Sequence, residues 1–101
     1  MWIIVMFDLP TDTKSQRKAA GGFRNFLLDE GFERSQFSVY ARFINVKEAF
    51  ATRVNRISRH LPDFGDVQIL NFTDRQYHDI VHFSDQGRKT ARKNPQQLVM
   101  F

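Results

Sequence analysis

Asp8 is the first residue whose type and position suggest chemistry. Six apolar residues, Trp2 to Phe7, run into it without a break, and Leu9-Pro10-Thr11-Asp12-Thr13 follows at once. A β-branched apolar run closed by a proline turn reads as a strand buried on both faces. Pro10 lacks an N–H for a sheet ladder and biases Leu9 away from helix, so the strand is expected to end at about Asp8. A carboxylate would then stand at the carboxyl end of a central strand, where such folds tend to place their chemistry. An Asx-turn leading into Pro10 is the plainer reading of the same residue. One carboxylate makes a poor magnesium site, because Mg²⁺ is held by one or two carboxylates with waters and substrate phosphate. A two-fold dimer that brought Asp8 from both subunits together would supply the second by symmetry. Such a site would hold Mg²⁺ or Mn²⁺ and activate water for phosphodiester cleavage, on condition that the dimer forms.

Other catalytic patterns are missing. Gly21-Gly22 has neither the spacing nor the lysine of a phosphate loop, and no HExxH occurs. With no cysteine in the chain, thiol nucleophiles, disulfides and cysteine zinc sites are excluded. His78 and His82 are four apart but have no third ligand at a useful spacing, which favours a surface or packing role. His60, at the end of an arginine-rich helix, reads as structural. The basic residues give the other functional signal. Lys14, Arg17, Lys18 and Arg24 on a first helix, Arg42 on a strand, and a tail beginning Arg88-Lys89 would form phosphate-contacting stripes, with solvated helix faces as the plainer alternative.

The elements that position these residues follow from spacing. Thr13 and Gln16 have capping-box spacing, so a helix should start there, with Ala19, Ala20, Phe23, Phe26 and Leu27 on one face and Gly31 at its C-terminal cap. Gly21-Gly22 inside it implies either close backbone approach or a weakened helix. Phe32-Glu33-Arg34 looks like a short strand piece, bent or bulged around Ser35-Gln36. Phe37, Val39, Ala41 and Phe43 then alternate with polar neighbours and Tyr40 as a half-buried strand. Asn45 to Leu61 returns to helical spacing, with Asn45 and Glu48 in capping-box-like positions and Arg53, Arg56 and Arg59 beside the apolar stripe. Asp66 to Phe72 is a further strand, Thr73 to Tyr77 a turn or short helix, and Ile80 to Phe83 a short strand or helix end. The order strand, helix, strand, strand, helix, strand is the α+β, ferredoxin-like βαββαβ pattern: an antiparallel sheet with two helices on one face. Residues 1–84 would form that domain, and 85–101 a basic arm ending in Leu98, Val99, Met100 and Phe101. Four apolar residues after such an arm suggest an added edge strand that docks on this chain or on a second copy in a homodimer.

Composition is consistent with this. At 101 residues and 42% hydrophobic the chain can build one core, and a second subunit would help complete it. A net charge of +4 favours a polyanionic partner. The N-terminal run is too short to span a bilayer and lacks the features of a signal peptide, so a cytoplasmic protein without a membrane role is expected.

The stretch MWIIVMFDLPTDTKSQRKA, followed by FRNFLLDEGFERSQFSVYARF, closely resembles the small CRISPR-associated family called Cas-two. The arginine-bearing second helix, DVQILNFTDRQY and the terminal LVMF fit the family more loosely. The QFSVYARF form is most similar to members from Cas9-type (type II) systems. The resemblance implies a ferredoxin-like homodimer whose C-terminal strand docks on the partner. It implies a role in spacer acquisition, with the dimer bridging the Cas-one integrase and carrying double-stranded DNA. It also implies metal-dependent endonuclease activity on RNA or duplex DNA, with Asp8 as metal ligand. Ser38 matches the family serine of the QFSVY strand. Gly21-Gly22 departs from the family's more usual basic or aromatic residues. A toxin-like ribonuclease of the same fold, unconnected with CRISPR adaptation, is the alternative; the QFSVY match argues against it.

Overall fold

The computed structural model describes residues 1–45 and 48–83. Met1–Asn71 forms one compact unit and a second begins at Phe72. The elements are β1 (Trp2–Asp8), α1 (Lys14–Asp29), β2 (Glu33–Gln36), β3 (Val39–Phe43), α2 (Glu48–Ser58), β4 (Asp66–Phe72) and α3 (Asp74–His78). The four strands make one sheet in the order β2-β3-β1-β4, the ferredoxin-like arrangement expected from the element order.

Local chemistry accounts for the boundaries. β1 ends at Asp8, ahead of the proline turn. The Thr13 hydroxyl accepts from the Gln16 N–H at 3.0 Å, and the Gln16 side-chain oxygen accepts from the Thr13 N–H at 3.0 Å. At its other end α1 closes in a Schellman motif: Gly31 N–H donates to the Leu28 carbonyl and Phe32 N–H to the Leu27 carbonyl, both at 3.0 Å. Gly31 has φ +86°, which only glycine adopts freely. The motif drops Phe32 into the core beside Leu27, and both are buried. The expected bulge is present as a register shift between Arg34 and Gln36 where β2 pairs with β3. Thr73 and Gln76 form a second capping box, so the turn after β4 is a short helix, α3. Ile80 to Phe83 forms neither strand nor helix.

The core lies between the sheet and α1 and α2. Ile3, Val5 and Phe7 of β1 point into it, with Phe23 and Leu27 of α1, Tyr40 of β3 and Ile57 of α2. Phe7 stacks on Tyr40 at 5.7 Å and meets Phe23 edge-on at 5.3 Å. The structure decides which face of β3 meets the helices. Tyr40 is buried on the helix side, whereas Phe37 is 77% exposed and Phe43 46% exposed. The alternating apolar set of β3 therefore belongs to the other face, where Val39, Ala41 and Phe43 lie opposite Met6, Ile4 and Trp2 of β1. Alternation fixes two faces but not which one meets the helices. Strand β3 is also shorter than expected, because Ser38 takes φ +63° and starts it only at Val39. The described part of α2 begins at Glu48; the expected cap at Asn45 leads into residues 46 and 47, which lie outside the described residues. Among the described residues neither glycine of α1 meets a close backbone approach: a Cβ on Gly22 would have none of them within 4 Å. Of the two readings of that pair, the weakened helix stands.

Candidate functional site

Asp8 is exposed at the end of β1. It is not alone there. Met6, Asp8, Asp66 and Gln68 line one open pocket of about 250 Å³. Asp66 begins β4, the strand beside β1, so sheet order supplies a second carboxylate from the same chain. By its sequence alone Asp66 marks only the start of a strand. The signal was the predicted fold itself, since in that topology the start of β4 lies beside the end of β1.

Gly65 shapes this corner. It has φ +100°, and a Cβ there would stand 2.6 Å from the Asp8 carbonyl oxygen and 2.8 Å from Leu9 Cδ2. Only glycine lets the chain entering β4 pass so close to the strand end that carries Asp8. The donors are oxygens, as a hard divalent cation requires. Among the described residues no group of three or more such ligands gathers, so one chain offers a partial set.

The predicted basic residues separate into distinct roles. Lys14, Arg17 and Lys18 are exposed on α1. Arg17 Nη1 donates to the Thr11 and Asp12 carbonyls at 3.1 and 3.3 Å, which steadies its guanidinium at the helix start. Arg17 and Arg24 are seven residues apart and share a flank of α1. With Arg34 of β2 and Phe37 and Ser38 of the hairpin they line a cleft of about 380 Å³. Arg42 is committed elsewhere: half-buried, it donates through Nη1 to the Glu30 carbonyl at the end of α1. Arg88, Lys89 and Leu98 to Phe101 lie outside the described residues.

Glu30 was not singled out by the sequence, and it organises the basic face of α2. It is buried, and Arg56 grips it with Nε at 2.5 Å from Oε1 and Nη2 at 2.7 Å from Oε2. Arg53 Nη1 adds a contact at 3.1 Å. The Arg56 hydrogen bonds lower the Glu30 carboxyl below its ordinary range; burial opposes this, and the charges of Arg56 and Arg53 reinforce it. Two of the arginines on that helix are thus structural. His60 is structural as well: its Nδ1 lies 2.9 Å from the Arg56 carbonyl and its ring stacks on Phe26 at 4.0 Å.

Residues 1–80 match the family described as CRISPR associated protein Cas2. The chain belongs to this family. A "CRISPR-associated endoribonuclease Cas2" of Paracidovorax avenae is 48% identical over the whole of this chain and 94% of that protein. Another so named, from Parvibaculum lavamentivorans, is 41% identical over the full length of both. The crystal structure of Streptococcus pyogenes Cas2 at pH 6.5 superposes with a TM-score of 0.64 at 16% identity, covering 83% of this chain and 100% of that one. This last likeness carries the Cas2 fold, and the sequence matches carry the family. No described helix is long and apolar enough to cross a membrane.

Proposed function

We propose that this Cas2-family chain acts as a homodimer in CRISPR spacer acquisition. In this reading it is a duplex-DNA-binding scaffold that bridges the Cas-one integrase. Metal-dependent phosphodiester cleavage on RNA or duplex DNA is a conditional second property. One observation carries the dimer. The sheet face away from α1 and α2 is apolar, with Trp2, Ile4 and Met6 opposite Phe43, Ala41 and Val39, and Asp8 and Asp66 at its end. Met6 is 41% exposed and Phe43 46% exposed, and a second copy of that face would cover them. Two-fold packing of the faces would bring two Asp8 carboxylates toward one another, each with its own Asp66 neighbour.

The chain's part in cleavage would then be to hold hard oxygen donors beside an apolar wall while the α1 arginines take up phosphate charge. Bound Mg²⁺ or Mn²⁺ would supply a water of lowered pKa and a counter-charge for the phosphate. The names of the relatives support a ribonuclease, and the exposed cations of α1 support a phosphate-rich partner. Family membership disfavours an unconnected toxin-like ribonuclease.

The test is titration of the purified protein against duplex DNA, single-stranded DNA and RNA, with and without Mg²⁺ or Mn²⁺, beside Asp8→Asn. Cutting that needs metal and is abolished in the variant, with duplex binding kept, is the expected result. Loss of integrase assembly in Asp8→Asn would contradict a scaffold in which Asp8 is dispensable.

A further inference from the structure

The loop after β1, residues 9–13, and the loop before β4, residues 59–65, meet beside the first turns of α1 and enclose a groove of about 230 Å³. Its walls are Leu9, Pro10, Ala19, Pro62 and Phe64, and its one charged liner is Asp63. The two loops touch closely, since a Cβ on Gly65 would stand 3.0 Å from the Leu9 Cα. Pro10 and Pro62 each fix their own φ, so both loops hold their shape before anything enters. Leu9 packs on the core, whereas Phe64 is 70% exposed and Leu61, three residues earlier, is 46% exposed. In a chain of net charge +4, residues 8–13 and 61–66 carry Asp8, Asp12, Asp63 and Asp66 and no lysine or arginine. The start of α1 is closed to anions. The Gln16 side-chain oxygen accepts the Asp12 and Thr13 N–H groups at 2.9 and 3.0 Å, and the Thr13 hydroxyl accepts that of Gln16 at 3.0 Å.

From these features we infer that the groove docks a protein partner, through a short segment in which an apolar side chain lies next to an arginine. The apolar side chain enters between Leu9, Pro10 and Ala19, and the guanidinium pairs with Asp63 across the exposed ring of Phe64. Nucleic acid has the wrong charge for this corner: the aspartates repel phosphate, and the helix N–H groups that would hold it are already bonded. The volume is below the roughly 300–1,000 Å³ usual for small-molecule sites, and suits the single anchor residue that dominates many protein interfaces. Walls formed in advance spare the ordering cost that a flexible loop adds on binding. Ser15 and Ala19, which line the groove, lie on the flank of α1 opposite Arg17 and Arg24. The inference thus goes beyond the function proposed above and depends on neither cleavage nor DNA binding. It leaves phosphate to the arginine flank and gives the aspartate corner to protein.

The experiment is an NMR titration of the full, isotope-labelled chain with two pools of acetylated, amidated pentapeptides. Three random apolar residues stand between two arginines in one pool and between two glutamates in the other. The arginine pool should move the amide signals of Leu9, Ala19, Asp63 and Phe64 saturably, and the glutamate pool should not. Phe64→Ser should weaken the arginine pool about tenfold, and Asp63→Asn about three- to fivefold. Both side chains are exposed, and thermal melts establish that each variant is folded. The docking site is overturned if the arginine pool gives no saturable shift, if both pools act alike, or if Phe64→Ser is silent. Movement of the same signals on diluting the protein alone would put a second copy in the groove. Peptide binding that appears only after removal of Leu98 to Phe101 would put the chain's own end there. Either result overturns a separate partner.

Discussion

Glu30 shows how a single carboxylate organises its surroundings. Its carboxyl group joins the end of α1 to Arg53 and Arg56 of α2, and its backbone carbonyl takes Arg42. Glu30→Gln keeps the shape but removes the charge, and should cost about 1 kcal/mol at neutral pH, limited by the solvent exposure of Arg56. Because Arg56 lowers its pKa on folding, Glu30 contributes stability above its unfolded value of 4.5, and that contribution is lost as pH falls through the lower folded value. The gap between wild type and Glu30→Gln in urea midpoint should therefore narrow on acidification below pH 4.5. None of this was legible in the sequence, since the Glu30 carboxyl and the guanidinium groups of Arg53 and Arg56 belong to residues more than twenty apart that meet only when α1 and α2 pack. The position of Asp8 at the end of β1 was legible, because an abrupt break in an apolar run is a local signal. Asp66 gave no such signal; its meaning comes from the strand beside it.

At the scale of elements, the glycines divide into those the backbone requires and those it does not. Gly22→Ala meets open space and removes a poor helix former, so it should stabilise the protein by about 1 kcal/mol, or about 4–8 °C in Tm. Gly65→Ala places a methyl group against the Asp8 carbonyl in a left-handed conformation. It should cost about 2 kcal/mol or more. It should also reduce any metal-dependent cutting, because relief of the clash moves the strand end that carries Asp8. Calorimetry of both variants, with a cleavage assay on Gly65→Ala, checks the pair. Both ends of α1 were readable because its caps, Thr13 with Gln16 and Gly31, each act within a turn of the chain, whereas the Thr73–Gln76 box of α3 read only as a turn or short helix and α2 ends at Ser58, short of the expected Leu61. The facing of β3 was not readable. Its apolar residues alternate cleanly, yet Tyr40, on the opposite register, is the one that reaches the core.

At the scale of the molecule, the element order was enough to give the sheet, because short connections and alternating strand and helix patterns leave few topologies open. The apolar outer face has a consequence for assembly. Phe43→Glu places a charge on that face at an exposed position, so it should leave the fold intact and abolish the proposed dimer in sedimentation; an unchanged profile would remove the face from the interface. Deleting Leu98 to Phe101 should weaken the same dimer if the last strand docks on a partner. Acids gathered at the rim of that face add a further effect. Two copies meeting there would crowd four carboxylates, an Asp8 and an Asp66 from each. Their mutual repulsion works against association, and any divalent cation held between them relieves it. Self-association would thus be thermodynamically linked to cation concentration. Chelation should then dissociate the dimer before it affects the fold, and the protein would be a scaffold whose assembly responds to free magnesium.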